Sequence, residues 1–590
     1  MLTEIISCFV LLHSKKLLEN HLFMRWTLKT QPNPKKTALL AKALNIDLIN
    51  AKLLVQRGIE TYEEAKAFFR PNLDNLHDPF LMKDMDKAVA RIEKAIQNKE
   101  PILVYGDYDV DGTTAVTLLS KYLLTHSNLV GTYVPDRDKE GYGISFQGID
   151  FAEDNDFSLI IALDCGIKAL DKVAYAAQKN IDFIICDHHT PGDTIPDAVA
   201  VLNPKRVDCA YPYKELCGCG VGFKLVQALH SRKGGTTEQL VPYLDLVATS
   251  IAADIVPITG ENRILTYFGL QVINEHPSTG IAALKRVAYD KKTLSITDVV
   301  FGIAPRINAA GRLKHANYAV ELLTENDLET AQLMAKAIND FNNERKDLDK
   351  LITQEALSQI TANQEEDNFT SVVFDASWHK GVIGIVASRL IETYYRPTIV
   401  FTKSGDYLTA SARSVRGFDL YQALEACEEW IEQWGGHKYA AGLRIKSENY
   451  QHFKKAFEAV VKKRMPDELR EPEIRIDSEL FLSDISPKFY RILTQMAPFG
   501  PQNMHPVFMA SGLRDNGTGR RVGADQSHLK VSIIEGANPK TYKGIGFGLG
   551  YLYKMLQKPF KAVFTLDENH WNGITSIQLK IKDIKQEFPD

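Results

Sequence analysis

The sequence has few cysteines, and they lack the spacing that would give them a structural role. Its 590 residues include seven, and no two of them form a Cys-x-x-Cys pair. This scattered, odd-numbered set argues against a structural zinc site and against a disulfide framework. We therefore expect a reducing, cytoplasmic location. The seven residues are Cys8, Cys165, Cys186, Cys209, Cys217, Cys219 and Cys427.

A long apolar run is also missing. The run at 5–12 is too short to span a bilayer. Its flanks, Glu4 before it and Lys15-Lys16 after it, are wrong for a signal peptide, and no small-residue cleavage site follows. Met24 is a plausible alternative start, so residues 1–23 are given no function. We expect no membrane partner.

The chain has no excess of positive charge and no P-loop. Its net charge is −4, so a nucleic acid must be held by local basic clusters or by metal ions. Without a P-loop we expect no nucleotide cofactor and no intrinsic ATP-driven unwinding. The glycine-rich segment 218–222 lacks the Lys-Ser/Thr pair. We interpret it as close helix packing rather than as a phosphate-cradling loop.

Length and patterning predict a multidomain α/β protein. A chain of 590 residues is too long for one core, so two to four domains are expected. After a helical lead-in, short apolar runs alternate with helical spacing, which indicates a parallel sheet with helices on its faces. The runs lie at 102–105, 159–163, 183–186 and 199–202.

The second half begins with a long helical pattern at 326–363, which would extend roughly 55 Å if continuous. The alternative is two helices with a break near Asn342-Asn343. Strands and helices alternate again over 370–463. From about 470 onward the chain is strand-rich with Gly and Asn turns, which predicts a small β-barrel.

Carboxylates follow three of the predicted strands directly. Because ligands of an open parallel sheet sit beyond the carboxyl ends of its strands, we expect these side chains to converge. A further carboxylate, Asp254, ends the apolar helical stretch 244–253. The groups that follow strands are Asp107, Asp109 and Asp111 after the first, Asp164 after the second, and Asp187, His188 and His189 after the third.

Aspartates this close together repel one another and hold protons at neutral pH unless a cation compensates them. Oxygen-rich ligands with one or two imidazoles suit Mg²⁺ or Mn²⁺ better than zinc. Two such ions can bind a phosphoryl group, activate a water molecule and stabilise the leaving oxygen. The pattern therefore predicts a metal-dependent phosphodiesterase.

An EF-hand and ordinary structural roles fit the acidic residues less well. The pattern that starts at Asp107 also opens an EF-hand loop, but the twelfth position holds Leu118 instead of Glu, and a strand precedes the loop. Any one aspartate could cap a helix, and a lone His188 could be a core residue. Neither role accounts for four such acids together with a double histidine.

These residues resemble the DHH phosphoesterase superfamily, and within it the RecJ branch. The resemblance begins with Asp-Tyr-Asp-Val-Asp-Gly at 107–112 and Asp-His-His at 187–189. It runs in order through nearly everything from about residue 60 to the end. Further matching segments are Arg-Asp-Lys-Glu-Gly-Tyr-Gly at 137–143, Ala-Asp-Ile-Val-Pro at 253–257, Pro-Arg-Ile-Asn-Ala-Ala-Gly-Arg at 305–312 and His-Lys-Gly-Val-Ile-Gly-Ile-Val-Ala at 379–387.

The resemblance implies a parallel-sheet DHH domain and a second α/β DHH-associated domain joined by a long helix, with a C-terminal OB-like β-barrel. The expected parts are an N-terminal extension and helical lead-in at 1–80, the DHH catalytic domain at 81–275, a connecting region with the long helix at 276–363, the DHH-associated substrate-binding domain at 364–465 and the nucleic-acid-binding barrel at 466–590.

The implied activity is that of a single-stranded-DNA-specific exonuclease that works 5′→3′ and releases mononucleotides by two-metal-ion hydrolysis, in DNA recombination and repair. Two divalent ions, Mn²⁺ or Mg²⁺, are the implied cofactors. Single-stranded DNA is the implied substrate, with a helicase and a single-strand-binding protein as partners.

By position, the resemblance also assigns roles to the acidic residues. Asp164 is the expected bridge between the ions, His189 faces the substrate phosphate, and Asp187 joins the catalytic set. Asp107 lies where it could bind an ion directly or support another ligand. Tyr105 stands where many members of the superfamily have a histidine, which leaves a sixth protein ligand open. The implied metal ligands are Asp109, Asp111, Asp164, His188 and Asp254.

Two regions are expected to hold the DNA strand. The segment 303–316 contains three basic and no acidic residues. It could be an ordinary solvated basic loop, whereas the resemblance implies strand contact. In the second region, paired glycines with Ser, Arg and His can form an anion nest, although Gly-Gly-His alone could be a turn. The implied residues are Arg306, Asn308 and Arg312, and then His379, Ser411, Arg413, Gly435, Gly436 and His437, with Arg137, Ser411, Arg413 and Gly436 forming a 5′-phosphate pocket.

Three questions stay open at this level. The C-terminal aromatics Phe499, Phe508, Tyr542 and Phe547 could stack on bases or belong to the core. A second enzyme class, an oligonucleotide-trimming or cyclic-dinucleotide phosphodiesterase, shares the acidic motifs but lacks the barrel-like tail and the segment 305–312. A non-catalytic scaffold would have lost ligands that are all intact here.

Overall fold

The computed structural model describes residues 24–291, 293–571 and 574–587, and the chain forms two compact units. The first unit comprises Lys66–Asp347 and Met496–Met504, and the second comprises the described residues before 66, from 348 to 495, and after 504. The apolar run at 5–12 lies outside the described residues. Within the described ranges, no helix combines the length and apolarity needed to cross a bilayer. The five-part domain division stays a prediction.

A five-stranded parallel sheet forms the centre of the first unit. Ile102–Gly106 and Leu159–Leu163 are buried at every position, because helices cover both faces of the sheet. Four of the strands coincide with the predicted apolar runs, so the parallel sheet is confirmed. Their spatial order is Val130–Tyr133, Ile102–Gly106, Leu159–Leu163, Asp182–Cys186 and Ala200–Leu202.

The edge strand Val130–Tyr133 is not predicted by the sequence pattern. It is four residues long and half-exposed, so it shows no apolar run. Gly131 is required by packing, because a Cβ atom there would lie 2.5 Å from the ring of Phe157.

Alternate strand residues point to opposite faces of this sheet. Ile102 and Val104 join a large core, and Leu103 and Tyr105 join a smaller one. Helices Met85–Asn98, Val110–Leu124 and Gly218–Arg232 contribute to the large core, and Phe146–Asp154 and Leu170–Gln178 contribute to the smaller one.

The rest of the first unit is helical. The segment 303–316, whose composition also allowed a solvated basic loop, is mostly the helix Ala304–Leu313, with Ile307 and Ala310 buried in the large core. The loop interpretation is therefore wrong. The other helices here are Leu244–Asp254, Gly260–Glu275, Thr279–Ala288, Ile296–Asp298 and Asn317–Thr324.

The long helix is continuous over Leu328–Ala362, 35 residues in all. Asn342, at the suspected break, is fully buried and accepts a hydrogen bond from Arg345 at 2.9 Å. The prediction of one helix is therefore confirmed. The boundary between the two units falls within it, after Asp347.

The second unit contains a five-stranded mixed sheet and a seven-stranded sheet. In the mixed sheet Ser371–Phe374 and Thr398–Ser404 are parallel, and the other neighbours are antiparallel. Its spatial order is Gln433–His437, Ala440–Lys446, Tyr407–Arg413, Thr398–Ser404 and Ser371–Phe374, with helices Ile383–Thr393, Leu420–Glu425 and Tyr450–Arg464.

The seven-stranded sheet is partly closed into a ring, because Phe508–Asp515 also pairs with His528–Glu535. The predicted small barrel is thereby confirmed. Its spatial order is Ser478–Glu479, Phe508–Asp515, Phe560–Trp571, Ile574–Gln586, Asn538–Gly546, His528–Glu535 and Arg520–Val522, and the helix Pro487–Thr494 precedes the second of these strands in the chain.

N-terminal residues also belong to this second unit. Arg25–Leu28 pairs in parallel with Glu473–Ile476, and Trp26 Nε1 donates a hydrogen bond to Asp583 at 2.8 Å. The lead-in helices Pro34–Leu44 and Leu48–Val55 belong to this unit too, and the unit boundary after Ala65 falls within the helix Tyr62–Phe69.

Candidate metal centre and active site

The strand-end acids meet because their strands are in register. Gly106 pairs with Leu163, and Leu163 pairs with Cys186, so the residues that follow emerge side by side. Asp164 leaves its strand with a φ of +60°, a left-handed conformation that is uncommon outside glycine. The predicted convergence at the carboxyl edge of the sheet is present.

His188 lies at the centre of a buried cluster. Its Nε2 is 3.1 Å from Asp164 Oδ1, 3.6 Å from Asp254 Oδ2 and 3.7 Å from Asp111 Oδ2. Two overlapping groups, Asp164–His188–His189 and Asp111–His188–Asp254, each have ligand atoms within 4.8 Å of one another. One histidine shared by two groups is a geometry that can hold a pair of cations.

Unpartnered buried atoms point to the same conclusion. Among the described residues, Asp164 Oδ1, Asp254 Oδ2 and both ring nitrogens of His188 are buried without a hydrogen-bond partner. Such atoms are costly unless something compensates them. Carboxylate oxygens with an imidazole nitrogen are the donors that Mg²⁺ and Mn²⁺ accept, so these residues fit a divalent cation.

The pKa directions show how strongly the carboxylates need that cation. Burial, followed by the charges of Asp111 and Asp109, raises the pKa of Asp164 well above its ordinary value and that of Asp254 to about 8. Burial lowers the pKa of His188 and thus favours the neutral imidazole that ligates metals. Without a cation, Asp254 would therefore keep its proton at neutral pH, and the pKa of Asp164 is shifted in the same direction.

Asp111 is fixed by donors from distant parts of the chain. Its carboxylate accepts hydrogen bonds from the backbone N–H of Gly218 at 2.7 Å and of Cys219 at 2.6 Å, and from Ser250 Oγ at 2.6 Å. The two amides open the helix Gly218–Arg232, whose positive end favours an anion. Sequence reasoning missed these three supporting residues, and only the glycine-rich helix start gave a signal.

The close packing predicted for the segment 218–222 is also present. A Cβ atom at Gly218 would lie 2.5 Å from Asp164 Cβ, and one at Gly222 would lie 3.1 Å from Leu163 Cδ2. Glycine therefore lets this helix approach both the central strand and the metal centre.

Asp187 differs from the other acids, since both of its oxygens are used. Oδ1 accepts from His188 N at 2.7 Å, His189 N at 3.0 Å and His189 Nδ1 at 2.7 Å, and Oδ2 accepts from Ile167 N at 2.9 Å. Burial would raise the pKa of Asp187, but the hydrogen bonds and charge of His189 lower it to about 2. Asp187 thus orients His189 and is not available to an ion.

His189 is the more exposed histidine, with 37% of its side chain accessible. Burial lowers the pKa of His189, but the hydrogen bond and charge of Asp187 outweigh it and the net change is upward. Its Nε2 lies 3.2 Å from the hydroxyl of Tyr142, which also donates to the Asp164 carbonyl at 3.3 Å. Tyr142 was not singled out from the sequence, although it lies in the matching segment 137–143.

Asp107 and Asp109 line the same edge but belong to neither of the two groups found among the described residues. Asp107 Oδ1 accepts from Gly143 N at 3.1 Å, and its Oδ2 is buried without a partner. Asp109 caps a helix through Gly112 N at 3.1 Å. Burial, then the charge of Asp109, raises the pKa of Asp107 to about 8. Their assignment as ligands stays a prediction.

Tyr105 supports the site indirectly, through the loop at Gly143. Its buried hydroxyl donates to the Gly143 carbonyl at 2.9 Å and accepts from Ser145 N at 3.1 Å, so it shapes the loop that contacts Asp107. The nearby Arg137 lies 5.0 Å from the ring centroid of Tyr108.

The basic residues of the helix Ala304–Leu313 are less available than the sequence suggested. Arg306 is buried and donates to Asn339 Oδ1 at 3.0 Å, Gly302 O at 2.7 Å and Val287 O at 3.3 Å. These contacts support a packing role. Strand contact by Arg306, and by the half-buried Asn308 and Arg312, stays a prediction.

The second unit places its predicted anion-binding residues in rows across three strands. Ser411, Gly442 and Gly435 are successive register partners. Ala412, Ala441 and Gly436 form the next row, and Arg413, Ala440 and His437 form the row after that.

Ser411 and Arg413 also contact each other and a helix start. Arg413 Nη1 donates to Ser411 Oγ at 2.9 Å. Both residues approach Gly384, where a Cβ atom would lie 2.8 Å from Ser411 Oγ and 3.0 Å from Arg413 Nη2. Gly384 is in the first turn of Ile383–Thr393, so a guanidinium, a hydroxyl and a helix N-terminus meet.

Gly436 and His379 are further predicted residues of this region. Gly436 has a φ of +151° in the exposed hairpin. His379 Nδ1 accepts a hydrogen bond from Gly381 N at 3.0 Å. Because Arg137 belongs to the first unit, the four-residue pocket stays a prediction.

Family models match three parts of the chain. "DHH family, N-terminal domain" matches residues 101–251, "DHHA1 domain" matches 366–463 and "RecJ OB domain" matches 476–583. The first match contains seven of the eight acidic and histidine residues discussed above, and Asp254 lies just beyond it.

Relatives and solved structures agree with these models. The chain is 35% identical over 566 residues to "Single-stranded-DNA-specific exonuclease RecJ" of Bacillus subtilis, covering 95% of this chain and 70% of the relative. The protein of the same name from Salmonella typhimurium is 33% identical over 526 residues, 85% of this chain and 90% of the relative. The crystal structure of RecJ in complex with Mn²⁺ from Thermus thermophilus has a TM-score of 0.81 at 27% identity, covering 96% of this chain and 80% of that one. The Mg²⁺ complex gives 0.75 at 26%, with 96% and 79% covered. The chain therefore belongs to the RecJ family.

Proposed function

We propose that this protein is a metal-dependent exonuclease that degrades single-stranded DNA from its 5′ end and releases mononucleotides. The observation that carries the proposal is the buried His188 that two acidic groups share. Asp164 Oδ1, Asp254 Oδ2 and both ring nitrogens of His188 are buried there without hydrogen-bond partners. Membership of the RecJ family supports the substrate class.

The ligands of the proposed site have distinct tasks. His188 is shared by the two groups, Asp164 and His189 complete one of them, and Asp111 and Asp254 complete the other. Two bound Mn²⁺ or Mg²⁺ ions would polarise the scissile phosphate, activate water and stabilise the leaving oxygen. The amides of Gly218 and Cys219 keep the Asp111 carboxylate in one orientation, as supporting hydrogen bonds do at metal sites.

We expect His189 to contact the substrate phosphate. Asp187 accepts a hydrogen bond from its Nδ1–H and raises its pKa, which favours the imidazolium form with a proton on Nε2 as well. A protonated imidazole can donate a charge-assisted hydrogen bond to a phosphate oxygen. It thereby stabilises charge that develops during hydrolysis.

Exonuclease action requires a grip on the strand end, and the second unit offers one. Ser411, Arg413 and the start of the helix Ile383–Thr393 supply donors suited to a terminal phosphate. We expect Arg413→Ala to lose the preference for 5′-phosphorylated over 5′-hydroxyl ends. The matched control is Arg389→Ala. Arg389 is exposed, lies on the helix Ile383–Thr393 and pairs with Glu392. An unchanged preference in Arg413→Ala would refute the grip.

The barrel adds a surface for the rest of the strand. Phe547 is 59% exposed, and Lys580 Nζ lies 5.8 Å from its ring centroid. An exposed aromatic beside a lysine suits base stacking along a phosphate backbone. Phe508 is fully buried and Tyr542 is 7% exposed, so these two belong to the core.

We infer the cellular setting from the P-loop that the sequence lacks and from the buried cysteines. The sequence lacks a P-loop, so a separate helicase and a single-strand-binding protein would supply and present the substrate in recombination and repair. Cysteines 165, 186, 209, 217, 219 and 427 are free and buried, which suits a reducing cytoplasm.

The deciding experiment uses single strands labelled at one end, with Mn²⁺ and with EDTA. Metal-dependent loss of the 5′ label first, with mononucleotide products, is the expected result. Loss of the 3′ label first would refute the polarity. A preference for dinucleotides over long strands would indicate an oligonucleotide phosphodiesterase, and no release at all would indicate a scaffold. Asp164→Ala should be inactive, and the exposed Asp193→Asn serves as its control.

A further inference from the structure

A loop from the far end of the sequence lies next to the proposed metal ligand Asp254. Residues 348–495 and those after 504 belong to the second unit, but Met496–Met504 belongs to the first. We call Met496–Met504 the return loop. It contains the Pro-Phe-Gly-Pro-Gln-Asn segment at 498–503, to which the proposed mechanism gives no task.

The return loop contacts the turn that follows Asp254. Ile258 N donates a hydrogen bond to Pro501 O at 2.8 Å, and Ile258 is 1% exposed. A Cβ atom at Gly500 would lie 2.4 Å from Ile258 Cγ1. The contact is therefore so close that glycine is required at position 500.

The return loop is itself firmly closed. Gly500 and Asn503 exchange two backbone hydrogen bonds, at 3.0 and 2.9 Å. The buried Asn503 side chain donates to Met496 O at 2.9 Å and to Pro498 O at 2.8 Å. A closed loop of this kind presents Pro501 O in one fixed position.

Arg263 ties the base of the return loop to the helix that follows the turn. Its guanidinium donates to Met496 O and Ala497 O, both at 2.9 Å, and to Phe68 O at 3.0 Å. Arg263 lies in Gly260–Glu275 and is 4% exposed. The return loop is thus anchored to the helix that follows the turn, and it is also hydrogen-bonded to Ile258 within the turn.

The turn needs this support because its backbone is strained. Asp254 is the last residue of its helix, and the next residue, Ile255, has a φ of +59°. A β-branched residue is a genuine outlier in that conformation, which persists only when its surroundings enforce it. Pro257 O, two residues on, accepts from Asn262 Nδ2 at 3.0 Å and from Tyr213 OH at 3.3 Å.

We propose that the return loop is a positioning element for the metal ligand Asp254: it clamps the 255–259 turn and so aims the carboxylate at the cation. The inference rests on the proposed function, in which Asp254 is a ligand. Groups that support ligands in this way typically change metal affinity by about ten- to a hundredfold when they are lost. Thermodynamic reciprocity then requires bound metal to stabilise the return loop.

The test is Gly500→Ala, which forces the return loop away from Ile258. We expect Mn²⁺ affinity, measured by electron paramagnetic resonance of free Mn²⁺, to fall at least about tenfold, and hydrogen exchange in the 255–262 peptide to rise. In Gly500→Ala/Ile258→Ala the clashing Cγ1 and the Cδ1 at 3.4 Å are both gone, and the Cβ that remains at position 258 lies 3.6 Å away. This double variant should recover most of the affinity relative to Ile258→Ala alone. Gly192→Ala, where a Cβ atom meets nothing closer than 3.9 Å, is the matched control.

A second measurement needs no variant. In the wild-type protein, Mn²⁺ should slow hydrogen exchange in the 496–504 and 255–262 peptides together. The inference would be overturned if Mn²⁺ left the hydrogen exchange of the return loop unchanged. It would also be overturned if a folded Gly500→Ala variant kept the wild-type affinity for Mn²⁺. Failure of the proposed function has a different signature, namely wild-type Mn²⁺ affinity in Asp254→Ala.

Discussion

The crowding of carboxylates around His188 predicts that removing one of them stabilises the metal-free protein. Asp254→Asn is the cleanest perturbation, because the amide keeps the shape of the side chain and removes its charge. Asp254 also lies at the carboxyl end of its helix, where a negative charge is unfavourable. We expect the variant to unfold at a higher temperature than the wild type in EDTA at pH 8, and to lose its activity.

The magnitude follows from the pKa. The pKa of Asp254 rises from 3.8 to about 8, first by burial and then by the charges of Asp111 and Asp109. About four units at 1.36 kcal/mol each would be about 5 kcal/mol. Since 27% of the side chain is exposed, solvent screening reduces this to roughly 2 to 4 kcal/mol. For a unit of this size, Lys66–Asp347 with Met496–Met504, the melting temperature would rise by about 3 to 7 °C.

The sign of the pH dependence gives an internal control. A raised pKa means that the folded state retains the proton, so the stability linked to Asp254 is complete below its unfolded pKa of 3.8 and is lost as the pH rises through about 8. The difference between Asp254→Asn and the wild type should therefore be large at pH 8 and small at pH 5.

Differential scanning calorimetry at both pH values, with EDTA and with Mn²⁺, would check this reasoning. Mn²⁺ should raise the melting temperature of the wild type at pH 8 far more than that of Asp254→Asn, because binding to the folded state adds stability. The electrostatic account would be refuted if Asp254→Asn melted below the wild type in EDTA at pH 8. It would also be refuted if Mn²⁺ raised the melting temperatures of the variant and the wild type equally.

Three further predictions test other parts of the molecule. Asp187→Asn should lower the pKa of His189 and move the alkaline limb of the activity–pH profile to lower pH, because the imidazolium loses the neighbouring charge that favours it. Phe547→Ala should weaken single-strand binding by about 1 to 3 kcal/mol in fluorescence titrations. Trp26→Phe removes the donor to the buried Asp583 and should destabilise the second unit by about 1 to 3 kcal/mol in denaturant titrations.

Each of these has a control and a contrary outcome. Asp193→Asn should leave the activity–pH profile in place, and an unmoved alkaline limb in Asp187→Asn would argue against the Asp187–His189 pair. Phe481 is a second exposed aromatic residue of the same unit, at 70%. If Phe481→Ala weakened single-strand binding as much as Phe547→Ala, the effect would not be specific to Phe547. Wild-type stability of Trp26→Phe would mean that water replaces the indole donor.

The sequence was informative where function depends on local pattern. Fully buried apolar runs such as Leu159–Leu163 predict central strands, and a parallel sheet brings the residues after them to one edge. The continuous helix through Asn342 was predictable from its spacing in the same way. These features depend on a few neighbouring residues, so single-sequence reasoning reaches them.

Features that depend on distant contacts were not predictable. The donors that hold Asp111 come from Gly218, Cys219 and Ser250, more than a hundred residues away in the chain. The sequence likewise does not show that Asn339 and two backbone carbonyls accept hydrogen bonds from Arg306. Tertiary hydrogen bonding decides such cases, and it leaves no periodic signal.

Hydrogen bonding also separates acids that look equivalent in the sequence. Asp187 receives four N–H donors and has a pKa of about 2, so it is a stable anion that needs no ion. Asp254 has a buried oxygen without a partner and a pKa of about 8, so its negative charge becomes favourable when a cation arrives. Because a cation gains most where the protein has left a carboxylate uncompensated, metal affinity at this site arises from the same repulsion that destabilises the metal-free fold. Affinity and metal-free stability should therefore change in opposite directions when the charge of an uncompensated ligand such as Asp254 is removed.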